Sequence, residues 1–302
     1  MMKFEEARQL ILQHVRILDA ETVTLLDSVG RVLATDIGAP WDLPPCSNSA
    51  MDGYAVRADD CQRAVALPII DYIPAGGFGL KPLQPGTAIK IMTGGPIPER
   101  CDSIVPFEDA HETDGIVHIE RPVLKHQHVR FAGEDIRAGE MVLRKGDVIR
   151  PVEVSVLASF GKSMVPVFRR PRVAIVATGD ELLDLGEVPS RGKIINSNSY
   201  GLAAAVKSLG AVPVLLGIAR DNLESHREKL GAGLNADALI TSAGVSVGDR
   251  DFVRDVLAEL AVEQVFWRVD VKPGKSIAFG VKNGTPIFAL PGNPVSSMLT
   301  FE

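Results

Sequence analysis

Arg172-Val-Ala-Ile-Val-Ala-Thr178-Gly-Asp-Glu181 is the stretch on which the fold turns. Val173 to Ala177 are apolar without alternation, so the strand they predict has both faces covered. That is the situation of a parallel sheet held between helices. The glycine and the acids that follow end the strand. They place polar groups at its carboxyl end, where open parallel sheets gather ligands.

The pattern repeats downstream. Val212 to Ile218, Ala238 to Thr241 and Pro286 to Leu290 read as strands. Ser199 to Leu209 reads as a helix, with Ser197 and Asn198 available as caps and Gly210 to stop it. Phe252 to Leu260 reads as another. Strands alternating with helices predict a parallel-sheet α/β domain over residues 171–302. If the strands are parallel, four loops open on one edge: Thr178 to Glu181, Arg220 to Asn222, Ser242 to Asp251, and Pro291 to Ser297.

Two of these loops have the physics of anion cradles. Glycines at 244 and 248 let the backbone approach a ligand closely, and Asp251 stands at the start of the next helix. Asn293 fits an N-cap and Pro294 a first helical residue. Free amides there, near the Ser296 and Ser297 hydroxyls, suit a phosphate or oxyanion. Lys272-Pro-Gly-Lys275 adds two cations on a rigid turn. Glu181, Asp221 and Asp251 would repel the same anion unless a hard divalent cation, Mg²⁺ for phosphate chemistry, bridged them. Taken singly, each loop is an ordinary tight turn, each acid a cap and each lysine a surface charge. Their joint occurrence points to metal-assisted phosphate chemistry. Neither the Walker pattern nor GxGxxG is present, which argues against a standard ATPase or NAD enzyme.

Upstream the texture differs. From about Met51 to Arg144, short β-prone runs are parted by Gly and Pro clusters such as Pro74 to Gly79. The runs are Tyr54 to Arg57, Thr87 to Met92, Ser103 to Phe107, Gly115 to Ile119 and His128 to Phe131. They predict a small barrel-like β module over residues 46–139. Phe4, Ala7, Leu10, Ile11 and Val15 recur at helical spacing, and Pro151 to Phe160 reads as a second helix with Pro151 in its first turn. The module then reads as an insertion between two helix-bearing segments, residues 1–45 and 140–170.

Composition sets the limits. The 302 residues are 46% hydrophobic and 23% charged, enough for a real core, and the net charge of −6 argues against a general nucleic-acid or anionic-membrane binder. No apolar stretch is long enough to cross a bilayer. Cys46, Cys61 and Cys101 are odd in number and widely spaced, indicating neither a disulfide framework nor a zinc ribbon and fitting a reducing cytosol. His126 and His128 could share a strand face as metal ligands, but no third ligand accompanies them.

Three phrases of the β module are too particular for composition: Pro45-Cys-Ser-Asn-Ser-Ala-Met-Asp-Gly-Tyr-Ala55, Ile91-Met-Thr-Gly-Gly-Pro-Ile-Pro98 and Gly133-Glu-Asp-Ile-Arg-Ala-Gly139. With the Thr178, Ala243, Lys272 and Leu290 segments, in this order over nearly the whole chain, they resemble the molybdopterin molybdotransferase family (MoeA in bacteria, the E domain of gephyrin in animals). The resemblance implies a homodimer of multidomain α/β and β architecture. Its parts are an elongated helical linker domain, an inserted β-barrel-like domain and an α/β domain of the molybdopterin adenylyltransferase type. The implied reaction is cytoplasmic and Mg²⁺-assisted: it inserts molybdate into adenylylated molybdopterin and releases AMP. The molybdopterin adenylyltransferase is a candidate partner.

On the matching positions, Asp52, Glu181, Asp221 and Asp251 would be catalytic, the last three as metal ligands. Thr93, Gly94, Asp135, Thr178, Gly179, Gly244, Ser246, Gly248, Lys272, Lys275, Pro291, Gly292, Asn293, Pro294 and Ser296 would bind substrate. The family's cleft lies between the β domain of one subunit and the α/β domain of the other, so Asp52 and Thr93 would act across the dimer. Two alternatives share the loops: an adenylyltransferase acting on molybdopterin itself, and a non-catalytic binding or scaffold protein. Gly95 stands where the family often has Ala, Ala243 where it usually has Gly, and Ser276 where Pro is usual after the Lys272 turn. The sequence stops at Glu302, short of the family's carboxyl-terminal β domain, and impaired activity is the expectation for a chain ending there.

Overall fold

The computed structural model of the chain describes residues 2–244 and 252–302. Helix α1 (Phe4–His14) forms where the spacing predicts: Ala7 is buried, and Leu10 and Ile11 pack against Phe266, Val269 and Phe279. Contacts divide the chain into two units. One holds the residues up to Ala34, Val148–Arg150 and Met164–Glu302, and the other holds Thr35–Asp147 and Pro151–Ser163.

The second unit is built on a six-stranded sheet: β1 (Gly53–Val56), β2 (Val65–Ile73), β3 (Ala88–Ile91), β4 (Ser103–Pro106), β5 (Ala110–Thr113) and β6 (Ile116–Ile119), in the order β4-β1-β3-β2-β6-β5. The predicted barrel-like module is a curled half-barrel sheet that does not close, with β4 and β5 at its edges, and both faces are covered. Tyr54, Val56, Ala88 and Val105 enter one apolar cluster, and Ala55, Ile89, Ile91 and Ile104 enter the other. β2 serves both. A register shift between Ile69 and Asp71 lets Leu67 and Ile69 join the first cluster and Ile73 the second, as a bulge must when it breaks the two-residue period. Helix α2 (Pro151–Ser159) follows, and Phe160 after it meets Trp41 edge to face.

His126 and His128 are not on a strand. Both take left-handed turn conformations (φ 68° and 54°) ahead of the Val129–Arg130 strand, so they share no strand face that could present paired ligands. Burial pushes the Cys61 and Cys101 thiols up to about 11, which suits a core role.

The first unit carries β7 (Arg172–Thr178), β8 (Val212–Ala219), β9 (Ala238–Ser242), β10 (Glu263–Trp267), β11 (Ala278–Lys282) and β12 (Thr285–Leu290), ordered β8-β7-β9-β12-β11-β10. The pairings β7–β8, β7–β9 and β9–β12 are parallel. The four strands read from the sequence are parallel as expected; β10 and β11, which the sequence did not announce, add an antiparallel side, β11 being antiparallel to both β12 and β10. Helix α3 (Ser197–Ser208) covers one face through Leu202 and Val206. Helices α4 (Leu223–Gly233) and α5 (Phe252–Glu259) cover the other through Leu230, Val253 and Val256. α3 starts two residues earlier than predicted, because Asn196 rather than Ser197 or Asn198 caps it, accepting from Ser199 N. α6 (Pro294–Phe301) closes the described chain.

One ion pair ties the entry of β7 to that of β9. Arg169 Nη1 and Nη2 donate to Asp237 Oδ2 and Oδ1, both at 2.6 Å, and Arg172 N also donates to Oδ2. The Arg169 bonds, foremost, hold the Asp237 carboxyl below its ordinary value. A depressed folded-state value contributes stability above the unfolded value, near 3.9, and loses it as pH falls through the folded one. Asp237→Asn is therefore expected to cost about 1 kcal/mol at neutral pH, discounted for partial exposure, and less at about pH 3, below the ordinary carboxyl value. Urea titrations at the two pH values check this; an equal loss at both would refute it.

Candidate functional site

β7, β8, β9 and β12 are parallel, so the loops leaving them open on one edge of the sheet. The antiparallel pair adds a fifth segment there. Trp267 pairs with Ala278 and Ala278 with Ala289, so the turn from Lys272 to Lys275 leaves β10 and enters β11 at the same edge.

The start of the edge is tightly knit. Gly179 N donates to Ala219 O at 3.1 Å, holding the end of β7 to β8. Gly179 has φ 137°, and a Cβ there would meet Glu181 Cδ at 2.6 Å; the Glu181 carboxylate folds back over a bare α-carbon, which only glycine supplies. Asp180 N donates to Asp221 Oδ2 (3.3 Å) and Asp221 N to Asp180 Oδ1 (3.2 Å), a reciprocal pair of bonds. Lys193 Nζ donates to Asp180 O. Asp180 was missed by sequence reasoning, which took the next acid, although its place in the same turn was a usable signal. Asn222 caps α4 by accepting from Ser225 N.

At the far end, Thr178 is buried, and a Cβ on Gly244 (φ 81°) would meet Val253 Cβ at 3.1 Å and Thr178 Oγ1 at 3.4 Å. The glycine is needed for close packing at the end of β9. Ser246, Gly248 and Asp251 lie outside the described residues. Asn293 caps α6, accepting from Ser296 N at 3.2 Å, with Pro294 in the first turn, as the sequence predicts. Pro291 is buried, Gly292 and Asn293 are exposed, and Ser297, expected beside the anion, has a buried hydroxyl with no partner among the described residues. A Cβ on Gly274 would run into Thr300 Cγ2, so the Lys272–Lys275 turn lies against α6, with both lysines exposed. Asn198 reaches across from α3: its Nδ2 donates to Ser242 Oγ (2.9 Å) and to Gly292 O (2.8 Å).

The β unit gathers its own group. Thr93 N and Thr93 Oγ1 both donate to Asp52 Oδ1 at 2.7 Å. The Thr93 amide, then its hydroxyl, holds the Asp52 carboxyl below its ordinary value, ionised and exposed. Gly94 N donates to Ser49 O, and Ser49 N to Gly95 O, so the loop after β3 is laced to the segment before β1. Arg130 pairs with Asn48 in a short ladder, and its Nη2 grips both oxygens of Asp135 (3.0 and 2.9 Å) while Nε donates to Glu134. The three phrases of the sequence thus meet in one place. Arg130 is the member that sequence reasoning missed.

Among the described residues no group of three or more His, Cys, Asp or Glu side chains is arranged to hold a metal ion. Glu181 and Asp221 offer hard carboxylate oxygens, and Mg²⁺ commonly takes only one or two protein carboxylates and leaves the rest of its shell to phosphate and water. The donor chemistry fits that ion. No helix among the described residues is long and apolar enough to cross a membrane.

Residues 2–161 match the model of the MoeA N-terminal region (domain I and II), and residues 174–302 that of a probable molybdopterin binding domain. The chain belongs to the MoeA family. It is 38% identical over 315 residues to molybdopterin molybdenumtransferase 2 of Mycobacterium tuberculosis, covering 100% of this chain and 77% of that one. It is 35% identical over 304 residues to the molybdopterin molybdenumtransferase of Staphylococcus aureus, covering 99% and 73%. The crystal structure of the MoeA protein of Pyrococcus horikoshii superposes with a TM-score of 0.88 at 32% identity, over 100% of this chain and 77% of its own.

Two small residues beside these loops differ in the room they leave. A Cβ on Gly95 would meet Ile91 Cγ1 and Met92 O at 2.9 Å, so this chain has no room for alanine there. Ala243 holds φ 75°, a left-handed conformation that penalises any Cβ. Ala243→Gly is expected to stabilise the protein by about 0.5–1 kcal/mol, since the relief exceeds the entropy glycine loses on folding. A melting temperature that falls would reject this account.

Proposed function

We propose that the chain is a molybdopterin molybdotransferase, inserting molybdate into adenylylated molybdopterin and releasing AMP in molybdenum-cofactor biosynthesis. What supports the reading is that five segments open on one sheet edge, carrying the Lys272 and Lys275 cations, the amides at the start of α6 and the carboxylates of Glu181 and Asp221. The names of the relatives support the substrate class.

In this reading the lysines and the α6 amides bind and orient the anionic groups of the substrates, an electrostatic arrangement fixed before reaction. Glu181, Asp221 and Asp251 would hold Mg²⁺, which would supply charge neutralisation for the phosphate groups. Asp52, kept ionised by Thr93, supplies a fixed carboxylate on the β side, and Thr93, Gly94 and Asp135 of the same unit bind substrate. The homodimer, the elongated linker domain of residues 1–45 and 140–170, the cytoplasmic setting and partnership with the adenylyltransferase belong to the same proposal.

The test is incubation with adenylylated molybdopterin, molybdate and Mg²⁺, following AMP. Release that depends on molybdate, and that falls about a hundredfold or more in Glu181→Ala, is expected. AMP release indifferent to molybdate, or undiminished in that variant, ends the reading.

A further inference from the structure

We propose that Asn198 is a positioning residue that clamps the loop after β9 to the loop after β12, and so sets the oxyanion-binding geometry of the sheet edge; this rests on the function proposed above. The side chain leaves the second residue of α3, a helix that is otherwise only a cover for one face of the sheet. Its amide nitrogen has two hydrogens, and both are used: one at 2.9 Å to Ser242 Oγ, the last residue of β9, and one at 2.8 Å to Gly292 O, in the turn before α6. A backbone carbonyl can only accept, so the amide is oriented with nitrogen toward the loops. Helix capping, the ordinary role of an asparagine at this point, is carried out by Asn196 instead. Asn198 is free to serve the edge.

The two loops meet at that point. Ala243 N donates to Leu290 O at 3.0 Å, and a Cβ on Gly292 would lie 3.0 Å from Ala243 Cβ. The sheet ladder ends at Ser242 and Leu290; beyond it, among the described residues, this backbone bond and Asn198 join the two loops. Ser242 is 2% exposed, which excludes water as a ready substitute for the amide. Displacement of Gly292 would carry Asn293 and the first amides of α6 with it, and ångström-scale misplacement is enough to cost a binding site much of its function.

The experiment compares the full chain with Asn198→Asp and Asn198→Ala. Asp is isosteric but cannot donate, and its charge faces the Gly292 carbonyl. Three quantities are read: backbone hydrogen exchange in residues 241–244 and 289–297, the melting temperature, and molybdate affinity by equilibrium dialysis. Both variants are expected to exchange at least about tenfold faster in the two loops and to bind molybdate at least about tenfold more weakly, with Asp the worse. Melting should stay within a few degrees of the parent. Unchanged exchange in the loops overturns the clamp, and faster exchange with unchanged affinity overturns its role in the site. A parent chain that binds no molybdate sinks the functional reading and this assignment together, whereas a binding parent with indifferent variants sinks the assignment alone.

Discussion

Asp52→Ala is expected to lower molybdate-dependent AMP release by at least about two orders of magnitude while leaving far-UV circular dichroism and melting close to those of the parent. The size follows from what fixed charges contribute in transfer reactions, where removing one preorganised group commonly costs about 10²–10³ in rate. The small structural effect follows from position. Asp52 is exposed at the start of β1, and its side chain meets only Thr93 N and Oγ1. Both donors can return to water when it is removed, so no buried group is orphaned. Asp52→Asn separates charge from geometry. Its side-chain oxygen can still accept from Thr93, but the carboxylate is gone. If charge is what matters, Asn falls with Ala; if Asp52 only holds the Thr93 loop in place, Asn keeps most of the activity. Activity within threefold of the parent in both variants would remove Asp52 from the site.

The sequence made one edge of the α/β sheet legible because each strand there carries its own signature: an apolar run, then glycine with acids, amides or hydroxyls. Val173 to Ala177 needed no partner to be recognised, and Asn293-Pro294 announced a helix start that the structure contains. What stayed hidden depends on pairing between distant segments. β2 was unread because Pro68 and the register shift near Ile69 break the alternation that marks a strand. α4 was unread because Leu223-Glu-Ser-His-Arg-Glu228 is too polar to show an apolar face, although His226 and Leu230 bury one. β10 and β11 were not read as strands at all, and their antiparallel direction shows only in the register of the paired segments. The same holds for Asn198 and Arg130. Each is an unremarkable polar residue in the sequence, and its role lies in bonds to partners 44, 94 and 5 positions away.

Gly53→Ala, one residue from Asp52, is expected to do the opposite: to destabilise the fold by more than about 3 kcal/mol and to lose activity only as a consequence. Gly53 is buried in β1 between Ile91 of β3 and Pro106 of β4. A Cβ there would fall on the Val105 carbonyl oxygen, with Val105 C at 2.8 Å and Pro106 Cα at 3.0 Å. These are backbone atoms of a paired strand and cannot rotate aside as a side chain could. Relief requires β4 to move away from β1, which disturbs Ile104 and Val105, members of the two cores on either face of the sheet. Gly94→Ala is the matched control, because φ is 77° there but nothing lies within 4 Å of the added methyl, so only the left-handed penalty of about 1–2 kcal/mol applies. Urea denaturation of the two variants reads the difference directly. A Gly53→Ala protein as stable as Gly94→Ala would mean that β1 and β4 are not held this closely. The short approach that fixes Asp52 beside the Thr93 loop would then have to be abandoned with it.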